Sequence, residues 1–428
     1  MKVTFFTALL MVLFIEFSNG QEKKDESKFG IVFSGFIKTD FFYDTRQAAC
    51  IREGHFLLYP ENQKLDINGK DINGKDKFGI LSIQSRLSGK ISGPDLLKAK
   101  TSALIEADFF GNENLNFSDV NGFRLRHAIL KLNWSKTELL AGQFWHPLFV
   151  PECFPDVVSF NTGAPFQPFS RNPQIRLSRQ VNNFKLILAA AEQRDFSSTG
   201  PDGASPKYLS NSVLPDLNMH LQYSHLWDDN QFFFGAGAEY KMLTPRLYSQ
   251  WDKNITDGKD TTYYSGDVKI RSYAFSAYSK LRLKPVTIKT YAIYGGNLFD
   301  LVMLGGYAVR AVLEDTYPAY EYTDIKNFSV WTEVSTNGKN QAGIFAGFSK
   351  NLGAGDENAG IYYSRGSNID YVYRVAPRLI INLQKVRIAT EIEYTTVQYG
   401  KPDTKGIVSS DLNSVSNLRL LVSFYHFF

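Results

Sequence analysis

Apolar and polar residues alternate with a period of two through most of the chain after residue 29, in runs separated by polar stretches bearing glycine and proline. A period of two places successive side chains on opposite faces of an extended strand, and about 9 to 11 such residues cross a bilayer. In the first run, 30–44, Ile31, Phe33, Ile37, Phe41 and Tyr43 share one face, and Ser34, Lys38 and Asp40 the other. In the second, 78–91, Leu81, Ile83, Leu87 and Ile91 oppose Ser82, Gln84, Arg86, Ser88 and Lys90. Similar runs follow at 98–110, 122–134, 136–145, a stretch ending at 181, 183–194, 217–227, 231–243, 267–283, 286–297, 325–335, 339–351, 368–383, 385–399 and 416–428. That makes sixteen. Short polar turns alternate with long connections, which is the rhythm of an antiparallel up-and-down β-barrel with its turns at one end and its loops at the other.

Two runs carry signals beyond alternation. Asn337-Gly338, between 325–335 and 339–351, is the dipeptide most favoured in tight hairpins. The final run places Leu418, Leu420, Val422, Phe424 and the terminal Phe428 on one face, which resembles the closing strand by which outer-membrane barrels are recognised for assembly; His426 departs from that pattern. The connection 298–323 is less regular, and 303–312 is apolar enough to pack inside the barrel or against its rim.

Hydrophobic residues make up 43% of the chain, and aromatics 14%, with 34 Phe and 23 Tyr against 5 Trp, an excess that suits aromatic girdles at two membrane interfaces. Lys2, an apolar run over 3–15 and Ser18-Asn19-Gly20 read as a secretory signal cut after Gly20. A short N-terminal periplasmic segment, 21–29, and one barrel domain, 30–428, are expected to follow. There is no room before Gly30 for the plug domain of an energised transporter. A net charge of +4 and the lack of a basic stripe argue against nucleic acid. Cys50 and Cys153 both fall in long connections, where an exported chain could join them. The tandem Asp-Ile-Asn-Gly-Lys at 66–70 and 71–75 has an incomplete calcium-ligand series and reads as a polar loop.

Enzymatic readings find no support. His220 and His225 fall on opposite faces, and there is no nucleophile elbow, no zinc spacing of His and Cys and no phosphate-binding glycine loop. No metal or cofactor is expected. A lipid-facing Arg or Lys costs about 2 to 4 kcal/mol at the bilayer midplane, so strand charges belong in the lumen. By alternation the inward bases are Lys38, Arg86, Arg124, Arg126, Arg176, Lys289, Arg374 and Arg378, and the inward acids include Asp40, Glu106, Asp108, Glu239, Glu333, Glu391 and Glu393. Glu106 and Asp108 beside Arg124 and Arg126, and Glu391 and Glu393 beside Arg374 and Arg378, suggest ladders that could merely brace the wall.

The third long connection, 146–171, holds Pro147, Pro151, Pro155, Pro165 and Pro168 with Phe149, Phe154, Phe160, Phe166 and Phe169. We expect it to fold into the lumen and narrow it, with Arg124, Arg126, Arg176 and Arg179 around the constriction. Guanidinium groups in a narrow passage hold carboxylates in forked hydrogen bonds, and an unpaired arginine would confer anion selectivity where a paired one would not.

Phe-Arg-Leu-Arg-His-Ala-Ile-Leu-Lys-Leu-Asn-Trp (123–134), Leu-Leu-Ala-Gly-Gln-Phe-Trp-His-Pro-Leu-Phe (139–149) and the opening Ser-Gly-Phe-Ile-Lys-Thr-Asp (34–40) resemble the DcaP-like outer-membrane porins. These three segments cover 30 of the 428 residues. It implies a trimeric sixteen-stranded channel for small, often anionic solutes such as dicarboxylates, seated in outer-membrane lipid of a Gram-negative bacterium. The chain is accordingly expected to act as a porin, the alternative being a plugged barrel that serves as an adhesin or as a structural or assembly protein.

Overall fold

A computed structural model describes residues 29–111, 121–252, 261–314 and 318–428. The expected signal peptide and all but the last residue of the expected segment 21–29 lie outside the described residues. Sixteen strands form a closed antiparallel wall. In chain order they are β1 (Gly30–Asp44), β2 in two pieces (Lys77–Leu81 and Arg86–Ser92), β3 (Lys100–Asp108), β4 (Arg124–Asn133), β5 (Thr137–Trp145), β6 (Arg171–Val181), β7 (Phe184–Ala191) and β8 (Asp216–Trp227). The second half comprises β9 (Asn230–Leu243), β10 (Ile270–Arg282), β11 (Val286–Gly296), β12 (Pro318–Thr336), β13 (Gln341–Gly353), β14 (Ile369–Leu383), β15 (Val386–Pro402) and β16 (Val408–Phe427). Each pairs with its neighbours in sequence, and β1 pairs with β16 from Phe36↔Phe427 to Asp44↔Arg419, so the wall has no free edge. Gly35 and Phe428 exchange backbone hydrogen bonds of 3.3 and 3.2 Å at the seam.

The outward face is apolar along the wall: Phe33, Ile105, Leu188, Leu221, Phe275, Val375 and Leu420 are among its exposed residues. Outward aromatic rings meet near the short turns, where Tyr223 contacts Phe184 and Phe234, and further toward the long connections, where Tyr240 meets Tyr273. Val375 lies at the middle of β14, 37% exposed. Val375→Arg is therefore expected to destabilise the barrel in lipid by roughly 2 to 4 kcal/mol, read as a lower midpoint in reversible urea unfolding from vesicles; no change would show that this face is not in hydrocarbon.

Three departures from simple alternation have local causes. β2 breaks at 82–85, where the Ser85 amide bonds the Ser82 carbonyl at 3.0 Å; the break reverses parity and turns Ile83, expected outside, into the interior at 5% exposure. The connection 298–323 holds a strand, Gly305–Glu314, paired with the outer part of β12 and with Tyr362–Arg365, while Met303 and Leu304 are buried inside. The last connection, expected over 400–415, is nearly all strand, since β15 and β16 pair as far as Pro402↔Val408. Beyond the membrane both faces of a strand meet water, so its apolar alternation ceases although its pairing does not. Cys50 and Cys153 are not joined in a disulfide.

Candidate functional site

The connection 146–170 turns into the lumen and packs on one side of it. Its Phe149, Phe160, Phe166 and Phe169 form a core with inward residues of β10 to β14, including Tyr291, Trp331, Phe345 and Ala376, and with Phe56 and Leu58 of the inner hairpin Ala48–Ile51/Phe56–Pro60. The rings of the loop thus fill the lumen beside these strands. Gly347 of β13 lies directly under the loop: a Cβ there would stand 2.6 Å from the Phe166 ring.

Polar groups of the wall fix the loop's backbone. The Tyr291 hydroxyl donates to the Leu148 carbonyl at 2.8 Å, the Trp331 indole to Gln167 Oε1 at 2.7 Å, and Lys289 Nζ to the Phe154 carbonyl at 3.0 Å. Glu391 accepts the amides of Val158 and Ser159 at 2.8 and 3.1 Å, Glu393 accepts Asn161 Nδ2 at 2.8 Å, and Glu333 accepts the Asp156 amide. The inward acids of β12 and β15 are therefore committed to holding amides that would otherwise be unpaired in an apolar interior. Cys153 sits in the same packing, its Sγ 3.2 Å from the Ser279 carbonyl, and burial pushes the thiol up to about 12, which leaves it unreactive.

The arginines and lysines expected to line the pore divide into three groups. Lys38 is fully buried and reaches the Val158 carbonyl at 3.0 Å, Asp40 at 3.1 Å and Gln84; Arg374 donates to the carbonyls of Ala164 and Leu58 at 3.0 and 2.7 Å and lies 3.4 Å from Glu393; Arg378 pairs with Glu333 at 2.9 Å rather than with Glu391. All three brace the inner loop, the inner hairpin or the wall. Arg176 donates to the Trp145 carbonyl and to Gln174 Oε1, each at 2.9 to 3.0 Å, and lines a smaller cavity of about 210 Å³ under the loop. Arg179 is corrected: it shares the parity of Ile175 and Leu177, is exposed, and donates to Thr137 Oγ1 at 2.6 Å beside the short turns, on the outside of the wall. Its proximity in sequence to Arg176 hid the odd offset, which turns it to the opposite face.

The third group is a ladder on β2, β3 and β4. Arg126 reaches Glu106 at 2.8 Å and Asp108 at 2.9 Å; Arg124 reaches Asp108 at 2.8 Å and Asp195 at 3.3 Å; Arg171 reaches Asp195 at 2.6 Å. Arg86 stands apart: its approach to Glu106 is 3.6 Å, and its Nε finds no hydrogen-bond partner. Four guanidiniums (Arg86, Arg124, Arg126, Arg171) face three carboxylates (Glu106, Asp108, Asp195), an excess of one positive charge. Beside them, on the short-turn side of the loop, lies a cavity of about 620 Å³ lined by Gln84, Arg86, Glu106, Arg126, His127 and Arg387 among others. Arg387 was missed in the sequence, although it has the parity of the inward Glu391 and Glu393; it rests on the rings of Tyr425 and Phe427, 5.7 and 5.1 Å away, and its Nε donates to Asn382 Oδ1 at 2.8 Å.

A closed sixteen-stranded antiparallel wall with an apolar outer belt and a loop folded into its lumen is the architecture of a transmembrane β-barrel. The outer membrane channel DcaP of Acinetobacter baumannii has this fold, aligning with 95% of the present chain and 99% of its own at 16% identity with a TM-score of 0.64. OmpT of Vibrio cholerae, an outer membrane protein folded in vitro and seen in a trimer form, aligns with 94% of this chain and 99% of its own at 11% identity and a TM-score of 0.51. No family model and no curated protein sequence matches the chain. The expected DcaP-like porin fold is what the structure has.

Proposed function

We propose that this protein is an outer-membrane porin that passes small hydrophilic solutes by passive diffusion, with a preference for anions such as carboxylates. The observation that carries the reading is the asymmetric lumen. The loop packs its aromatic rings against inward residues of β10 to β15, and β2 to β4 present a charged ladder with one guanidinium in excess beside a cavity. Fixed charge of one sign in a passage walled by low-dielectric protein concentrates the opposite ion, and a single loosely held arginine binds carboxylates weakly enough to release them. The fold shared with the outer membrane channel DcaP supports the same reading. On this reading the apolar belt sits in Gram-negative outer-membrane lipid, residues 1–20 act as an export signal and the strand ending at Phe428 serves assembly. Trimer formation, as in the trimer form of the Vibrio protein, belongs to the same proposal.

Purified protein in a planar bilayer under a salt gradient is expected to give discrete current steps, in multiples of three, with a reversal potential of anion-selective sign. A folded barrel that gives no steps would refute the porin reading and favour an adhesin or structural protein, because the same packed core would then close the lumen.

A further inference from the structure

We infer that the outer end of the barrel holds a divalent transition-metal ion, bound by His146, Asp216 and Glu239, which fastens the first residue of the inner loop to β8 and β9. The three side chains are 0%, 0% and 3% exposed as residues, and His146 Nε2, one Asp216 oxygen and one Glu239 oxygen all lie within 4.8 Å of one another. They come from positions far apart in the chain, so no spacing motif announces them.

The charge and the hydrogen bonding are both incomplete without a cation. Three carboxyl groups, Asp216, Glu239 and Asp300, share this buried spot with a single ammonium, Lys241, 2.6 Å from Asp300 and 3.7 Å from Glu239; with all three ionised they leave an excess of two negative charges. Asp300 is satisfied, since it takes Lys241 on one oxygen and Gln193 at 3.0 Å on the other. Glu239 is not: its Oε1 has no hydrogen-bond donor, although its side chain is 1% exposed and aimed at His146 Nε2, 3.6 Å away. Asn218, directly opposite Glu239 in the strand register, has an Oδ1 that also lacks a partner. One imidazole nitrogen with two carboxylates is a donor set for zinc-like ions, and a charge of two neutralises the excess. Coordination through Nε2 moves the ring proton to Nδ1 and gives up the long 3.3 Å bond from the Leu148 amide.

The test uses the full mature protein, folded in detergent, dialysed against Zn2+ or Co2+ and then against metal-free buffer. Elemental analysis is expected to find about one ion per chain, Co2+ to show intensified visible absorption, and EDTA to lower the thermal midpoint. Glu239→Gln and His146→Gln should lose the ion and the EDTA effect while still migrating as folded barrels on unheated gels. If either variant fails to fold, the EDTA response of the unaltered protein decides. Substoichiometric metal, with an unchanged Co2+ spectrum and equal midpoints with and without EDTA, would overturn the inference and mean that protons neutralise the cluster.

Discussion

Replacing residues 147–169 by a short Gly-Ser turn is expected to raise the single-channel conductance several-fold and leave the barrel closed. The His146 amide bonds the Ser170 carbonyl at 2.9 Å, so the ends of the connection are already neighbours and a short turn can span them. None of the deleted residues belongs to the wall, whose sixteen strands keep their ladders. What is lost is the filling of the lumen. Tyr291, Trp331, Phe345, Val372 and Ala376 would then face water, at about 1.5 to 3 kcal/mol for each large side chain, so the variant should unfold at a lower temperature even as it conducts better. Planar-bilayer recording gives the first effect and gel migration after graded heating the second. A conductance equal to that of the unaltered protein would place the narrowest point elsewhere, at the inner hairpin or at residues 298–304.

The second large effect is expected from Arg86→Glu, which should reverse the sign of the reversal potential. The ladder of β2 to β4 carries four positive and three negative groups, and this substitution makes it three against four. Arg86→Ala should give a nearly unselective pore. Arg86 is the residue to change because its neighbours are committed: Arg124 and Arg126 each hold two carboxylates, and removing either would leave Asp108 short of a partner and confuse a change of selectivity with a change of structure. An unaltered reversal potential in Arg86→Glu would remove the ladder from the conduction path.

Much of the fold could be read in the sequence because a transmembrane strand meets two solvents. Phe33, Leu188 and Leu420 had to face hydrocarbon and Lys38, Asp40 and Arg126 could not, which fixes both the strands and their faces. The reading failed where that constraint lapses. Outside the membrane, Gly305–Glu314 and the outer parts of β15 and β16 pair without apolar alternation, and they look like loops. The break in β2 depends on a local turn that reverses Ile83. The site was legible only as a set of inward charges. Which arginine is spare depends on distances of 2.6 to 3.6 Å between residues as far apart as Arg124 and Asp195, and alternation carries no information about them. The inward acids were visible, but their task of holding loop amides was not, because backbone groups leave no mark in a residue pattern.

The core inside the lumen also sets an order on assembly. It joins Phe56 and Leu58 near the beginning of the chain, Phe149 to Phe169 in the inner loop, and Trp331, Phe345, Val372 and Val397 far toward the end. The loop's contacts with Trp331, Phe345, Val372 and Val397 cannot form until β12 to β15 stand in the wall, so until then it has only Phe56, Leu58, Ile83, Phe110 and Trp145 of the first half to rest on. A half-built barrel therefore carries several bare phenylalanines on an untethered segment, and it is most exposed to aggregation and to proteases in the interval before its last strands arrive. The seating of the loop is complete only once β12 to β15 are in place.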